Sequence, residues 1–139
     1  MLRLGKEREV LGVVGDQLGG PTYAGDIACA LIQIANQIIA GRENVFGVYH
    51  FSGQPYVSWY EFAEHIFTEA LAQKLLEKRP HLNCITTSDY PTPAKRPANS
   101  CLNLDKIKNV FWNCTKRLAK SFEKSQGISL NVRMCFVQR

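Results

Sequence analysis

The chain has 139 residues, 45% hydrophobic and 21% charged, which is the length of one ordinary domain with enough apolar mass for a buried core. No apolar stretch reaches the roughly 18 residues of a membrane span, and "MLRLGKEREV" has no signal-peptide core, so the expected compartment is the cytoplasm. The net charge of +5 comes from the end, where residues 105–139 hold eight Lys or Arg and two acids (+6) and residues 1–104 hold nine and ten (−1); with no interleaved aromatics or nucleic-acid motif, that end reads as solvated rather than as a nucleic-acid surface.

In chain order, "MLRLGKERE" reads as the last turns of a helix. "VLGVV" (10–14) is a valine-rich run of strand length. The glycine-rich loop "GDQLGGPTYAGDIA" (15–28) follows, and then Ile27, Leu31, Ile34 and Ile38 recur at helical spacing. Ala28, Ala30, Ala35 and Ile39 widen that stripe, which predicts a heavily buried helix ended by Gly41. Thr22 is the expected cap, Pro21 stiffens the approach, and Asp26 suits the helix's positive end.

"FGVYHFSG" (46–53) is a second strand candidate. Ser58 and Glu61 form an S-x-x-E capping box, opening a helix to about Leu76 with Phe62, Ile66, Phe67 and Ala70 inward. "LNCITTSDY" (82–90) has strand character, and "PTPAKRPANS" (91–100), with three of the six prolines, is irregular. "CLNLDKI" suggests a short strand or bridge and then a helical turn near Asp105. Thr115 to Lys124 suits a basic helix stopped by Gly127, with a weak strand pattern in "ISLNVRMCFV". The alternation implies an α/β fold, with 10–14 and 46–51 apolar on both faces as in a helix-covered parallel sheet.

The opening strand, glycine loop and helix imitate a dinucleotide fingerprint. The match is imperfect: Leu18 stands at the third glycine position, the helix starts only after Pro21-Thr22, and the next strand candidate ends in Phe51-Ser52 without the expected acid. Asp16 and Gln17 nonetheless lie at the carboxyl end of a strand, where open α/β sheets hold ligands. The five cysteines are odd in number and form no C-x-x-C, so they read as buried or incidental thiols. His50, His65 and His81 lack mutual spacing and read as structural, and Trp59 and Tyr60 as core and rim packing.

"DQLGGPTYAGDIA", "GVYHFSG", "SWYEFAEHIF" and "YPTPAKRPANSCLNLDKI" together resemble the C-terminal half of the dTDP-4-dehydrorhamnose reductases, of the extended short-chain dehydrogenase/reductase group. The likeness runs from Met1 to about Phe111, leaving 112–139 as a divergent basic helix and tail. It implies a partial Rossmann-like parallel sheet plus a small α/β substrate-binding subdomain, with the cofactor half missing. Full-length members use NADPH to reduce the 4-keto group of a dTDP-linked deoxysugar, and a Tyr-x-x-x-Lys pair supplies the proton. Here Tyr23, Tyr49, Tyr56, Tyr60 and Tyr90 are followed four residues on by Ile27, Gly53, Tyr60, Glu64 and Ala94. The expectation is a chain that binds no NADPH and transfers no hydride alone, with no catalytic residue of its own.

The expected substrate contacts are Gln17, Arg96 and Asn99. Gln17 has two competing uses, a ligand or its own loop backbone. The Arg96 guanidinium suits a diphosphate, or an ion pair at a helix end. Asn99 and Ser100 suit loop backbone or substrate. Gly25 stands where some members carry a metal-holding carboxylate, so no metal is expected. The expected partners are a dTDP-sugar, the missing cofactor-binding half and, through uncovered apolar surface, a second copy of the chain. A second reading is a non-catalytic subunit resembling the methionine adenosyltransferase regulatory subunit.

Overall fold

The computed structural model describes residues 1–112; the expected helix at 115–124 and strand at 128–137 lie outside them. The chain divides into two units, one of residues 1–21 and 55–101, the other of 22–54 and the residues from Leu102 onward.

In the first unit, α1 (Leu2–Glu7) leads into β1 (Val10–Val14), which pairs in parallel with β4 (His81–Ile85) in the register Leu11 to Leu82 and Val13 to Cys84. This pairing corrects the expectation that β1 shares a sheet with 46–51. Strand candidates are legible locally, but parallel partners are set by long-range docking. β1 is also buried on one face only. Leu11 and Val13 point into the core, whereas Val10 is 52% exposed.

Against that pair lies α3 (Trp59–Ala72). Its capping box forms as expected: Ser58 Oγ accepts from the Glu61 N–H at 3.1 Å, and the Glu61 carboxylate accepts from the Ser58 N–H at 2.7 Å. The helix stops at Ala72, short of Leu76, and Lys74 sits at φ 57°. Ala63, Ile66, Phe67 and Ala70 are buried; Phe62, expected inward, is half-buried and meets Trp59 ring to ring at 6.3 Å. The core joins Leu11, Val13, Ala63, Phe67, Ala70, Leu76 and Leu82. Two two-residue strands, β2 (Leu18–Gly19) and β3 (Val57–Ser58), pair antiparallel.

The second unit is built on α2 (Ala24–Ile39), α4 (Asp105–Ile107) and a π-type turn, Lys108–Trp112. Tyr23, not Thr22, is the N-cap residue of α2, because the Thr22 hydroxyl oxygen accepts the Gly53 N–H at 2.9 Å. Gly41, at φ 89°, carries the chain out of α2 as expected. Val45, Leu104, Ile107 and Phe111 form the core, with Ile34, Ile38, Tyr49 and Phe51 packed on it.

Two expectations fail in this unit. Residues 46–53 pair with no strand among the described residues, although they keep the two-residue alternation. Val45, Tyr49 and Phe51 turn inward, while Phe46 and Val48 stand 81% and 73% exposed. Nor is α2 heavily buried. Ala30 alone is fully covered, and Ile27, Leu31, Ile32 and Ile39 are exposed. The helix is apolar on two faces, and the described residues cover one.

Candidate functional site

In the first unit, the carboxyl end of the β1–β4 pair gathers the polar residues of the 15–20 loop, the 86–89 turn and the end of the proline-rich loop. The ladder runs one step beyond β1, where the Gly15 N–H donates to the Ile85 carbonyl at 2.9 Å. Two loop glycines are needed for space. A Cβ on Gly15 would stand 2.3 Å from Cys84 Sγ, and one on Gly19 would stand 2.7 Å from Ser100 Oγ. Both glycines are required by close packing within the fold.

Asp16 is committed to the neighbouring turn. Its two carboxylate oxygens accept the Thr87 N–H, each at 3.0 Å, and Oδ1 also accepts the Thr87 hydroxyl at 2.7 Å. These bonds, the backbone one foremost, hold its carboxyl below the usual carboxylate range. Gln17, the first expected contact, is half-buried and donates from Nε2 to Thr87 Oγ1 at 3.1 Å. The turn, a 3-10 stretch at Thr87–Asp89, has its own capping box, in which Asp89 accepts the Thr86 N–H at 2.9 Å and the Thr86 hydroxyl at 2.7 Å. The Thr86 bonds, the backbone one foremost, lower the Asp89 carboxyl, with burial and then the Asp16 charge pushing the other way.

The next residues tie the far loop down. The Leu18 N–H donates to Ala98 O at 2.8 Å, the Ser100 N–H returns to Leu18 O at 2.9 Å, and Leu18 and Asn99 form a parallel bridge. Asn99 Oδ1 accepts the Cys101 N–H at 2.9 Å, and the Ser100 hydroxyl donates to Leu18 O at 2.9 Å. Backbone thus takes the Asn99 oxygen and the Ser100 hydroxyl, the loop use named for both. Arg96 stands exposed in the same loop and forms no ion pair with a carboxylate of the described residues. The structure therefore brings Gln17 and Asn99 to either side of Leu18 and leaves Arg96 on the tethered loop between Pro91 and Asn99.

Thr87 is the residue that sequence reasoning missed. "TTSD" at 86–89 carries the S/T-x-x-D signature of a tight cap and could have marked the turn, but not its link to Asp16 across 71 positions. Tyr60 donates to Glu64 at 3.2 Å, and Glu64 also takes Arg79 at 2.9 Å; burial first, then the Glu64 carboxylate, pushes the phenol up. Among the described residues no His, Cys, Asp and Glu group could hold a metal ion. Cys29, Cys84 and Cys101 are free thiols, none of them fully buried.

Two open depressions lie away from these residues. One, of about 730 Å³, is lined by Ile38, Arg42, Asn44 and Phe46 of the second unit. The other, of about 500 Å³, is lined by residues of 5–9 and 74–80 in the first, charged and apolar alike. Neither collects the convergent polar groups of the β1 end, which is where parallel strands present ligands.

Residues 1–125 match the family model described as the RmlD substrate binding domain. The chain belongs to this family. It is 65% identical over 111 residues to the dTDP-4-dehydrorhamnose reductase of Aggregatibacter actinomycetemcomitans, an alignment covering 80% of this chain and 38% of that protein. Among solved structures, the dTDP-4-dehydrorhamnose reductase of Clostridium acetobutylicum superposes with a TM-score of 0.68 at 28% identity, over 88% of this chain and 40% of that one. The enzyme from Bacillus anthracis, solved with NADP, gives 0.59 at 32% identity over 78% and 34%. The chain thus spans little more than a third of the relatives it matches, and its fold is the mixed α/β arrangement of these Rossmann-like neighbours.

The loop after β1 passes through β2 and ends on Tyr23 before α2 begins, two of its glycines, Gly15 and Gly19, face Cys84 and Ser100, and the sequence holds no Tyr-x-x-x-Lys pair.

Proposed function

We propose that residues 1–111 form the substrate-gripping part of a dTDP-4-dehydrorhamnose reductase, and that 112–139 form a separate basic end. The full-length enzyme reduces dTDP-4-dehydro-L-rhamnose to dTDP-L-rhamnose with NADPH. The observation that carries this reading is the Leu18–Asn99 bridge at the carboxyl end of β1, which sets Gln17 and Asn99 beside each other's strand and ties down the loop bearing Arg96, exposed and in no ion pair among the described residues. A guanidinium forks onto diphosphate oxygens, and neutral amides suit the hydroxyls and ring edges of a nucleotide sugar.

On this reading the cofactor and the proton-donating pair belong to polypeptide outside this sequence, and the chain by itself binds no NADPH. The exposed apolar residues of α2 and of 46–48 then await that polypeptide, and with them uncovered the chain self-associates. It is a cytoplasmic protein, acting on soluble nucleotide sugars.

The test mixes the 139-residue chain with NADPH and dTDP-4-dehydro-L-rhamnose, with and without the N-terminal polypeptide of the Aggregatibacter relative. Oxidation of NADPH in the mixture alone is the expected result. Turnover by this chain unaided would overturn the proposal.

A further inference from the structure

We infer that Asp16 and Thr87 are positioning residues that lock the Gln17 side-chain amide with its oxygen turned away from Thr87, so that this oxygen takes a hydrogen-bond donor from its ligand. An ionised carboxylate only accepts, so the single Thr87 hydroxyl proton goes to Asp16 Oδ1, at 2.7 Å. With that proton committed, Thr87 Oγ1 has only lone pairs left for Gln17. The amide end facing it at 3.1 Å must then be the NH2 group. Gln17 Oε1 is the free end, and it can only accept.

The Thr87 N–H, bonded to both Asp16 oxygens, keeps the carboxylate from rotating out of this chain of bonds. Phosphate oxygens are acceptors and gain nothing from Oε1, and only the second Nε2 proton is left to meet one. Sugar hydroxyls and the thymine ring N–H are donors. The identity of the ligand rests on the substrate reading above; the amide's orientation does not.

The test follows the Gln17 side-chain amide in the intact, isotopically labelled chain by NMR. One of its two Nε2 protons is expected to be displaced from the free-amide position. Thr87→Val returns the pair to that position, Thr87→Ser keeps it displaced, and Asp16→Asn, which can donate as well as accept, reduces the displacement. A pair at the free position in the unaltered chain, or unmoved in Thr87→Val, would overturn the inference.

Titration then separates the ligand's parts. Inorganic pyrophosphate leaves the Gln17 carbonyl carbon unmoved, and dTDP-L-rhamnose moves it. A response to dTDP alone assigns the ring N–H, and a response only to the sugar-bearing ligand assigns a hydroxyl. Thr87→Val weakens dTDP-L-rhamnose about two- to tenfold, the worth of one neutral hydrogen bond, and Thr87→Ser restores it. Movement by pyrophosphate would overturn the donor assignment. If the Thr87 series behaves as stated and no ligand moves Gln17, the orientation holds and its place in the substrate site falls.

Discussion

Replacing Gly5 by alanine sets two effects against each other at one atom. Gly5 lies within α1, where alanine is the better helix former by about 1 kcal/mol. The new Cβ, however, would stand 2.4 Å from Phe67 Cε1 and 3.3 Å from Cδ1 and Cζ. Phe67 is 0% exposed and sits at the centre of the first unit's core, so its ring has nowhere to swing. Overpacking of this kind costs about 1–3 kcal/mol, so the clash outweighs the propensity gain and a net loss of about 1–2 kcal/mol is expected. The assay is residue-resolved amide hydrogen exchange in α1 and α3 across native conditions. Protection should fall in both helices, with no change around Leu104–Phe111. Phe67→Leu, which removes the ring edge that the added methyl meets, should make the two changes cost less together than their sum. Unchanged or increased protection in Gly5→Ala, or strict additivity with Phe67→Leu, would refute the packing argument.

Three further outcomes follow from the same contacts. Ser58→Ala removes one half of the α3 capping box and should cost about 1 kcal/mol in urea unfolding, with Ser58→Thr close to unaltered. Asp16 and Asp89 have carboxyls lowered by hydrogen bonds in the folded state. Their contribution is therefore present above the unfolded carboxylate pKa, about pH 4, and is lost as pH falls through the depressed folded values; in thermal melts Asp16→Asn should lower stability near neutrality and flatten the acid limb. On the exposed face of α2, Leu31→Lys with Ile32→Lys should reduce self-association in sedimentation without lowering helix content, since both side chains are 61% exposed.

What could be read from the sequence was what local chemistry fixes. The valine run of β1 and the Ser58–Glu61 box announced their elements because their signals lie within a few residues. Residues 46–53 misled because an apolar run of strand length marks an extended chain, not the neighbour that makes it a strand. β2 and β3 were invisible, as two residues carry no period. Thr22 was a reasonable cap until the fold brought the Gly53 N–H to it. At the site, the position of Gln17 was legible from the strand end, while the role of Asp16 was not. A ligand-facing carboxylate and one spent on Thr87 look alike until residues 71 positions apart are brought together.

The account stands most directly on calorimetric titration of dTDP-L-rhamnose into the 139-residue chain. It predicts saturable binding that needs no NADPH. Arg96→Ala should weaken it by about tenfold or more, the worth of charge-assisted hydrogen bonds to a diphosphate. Binding that appears only with NADPH present, or that Arg96→Ala leaves unchanged, would contradict it.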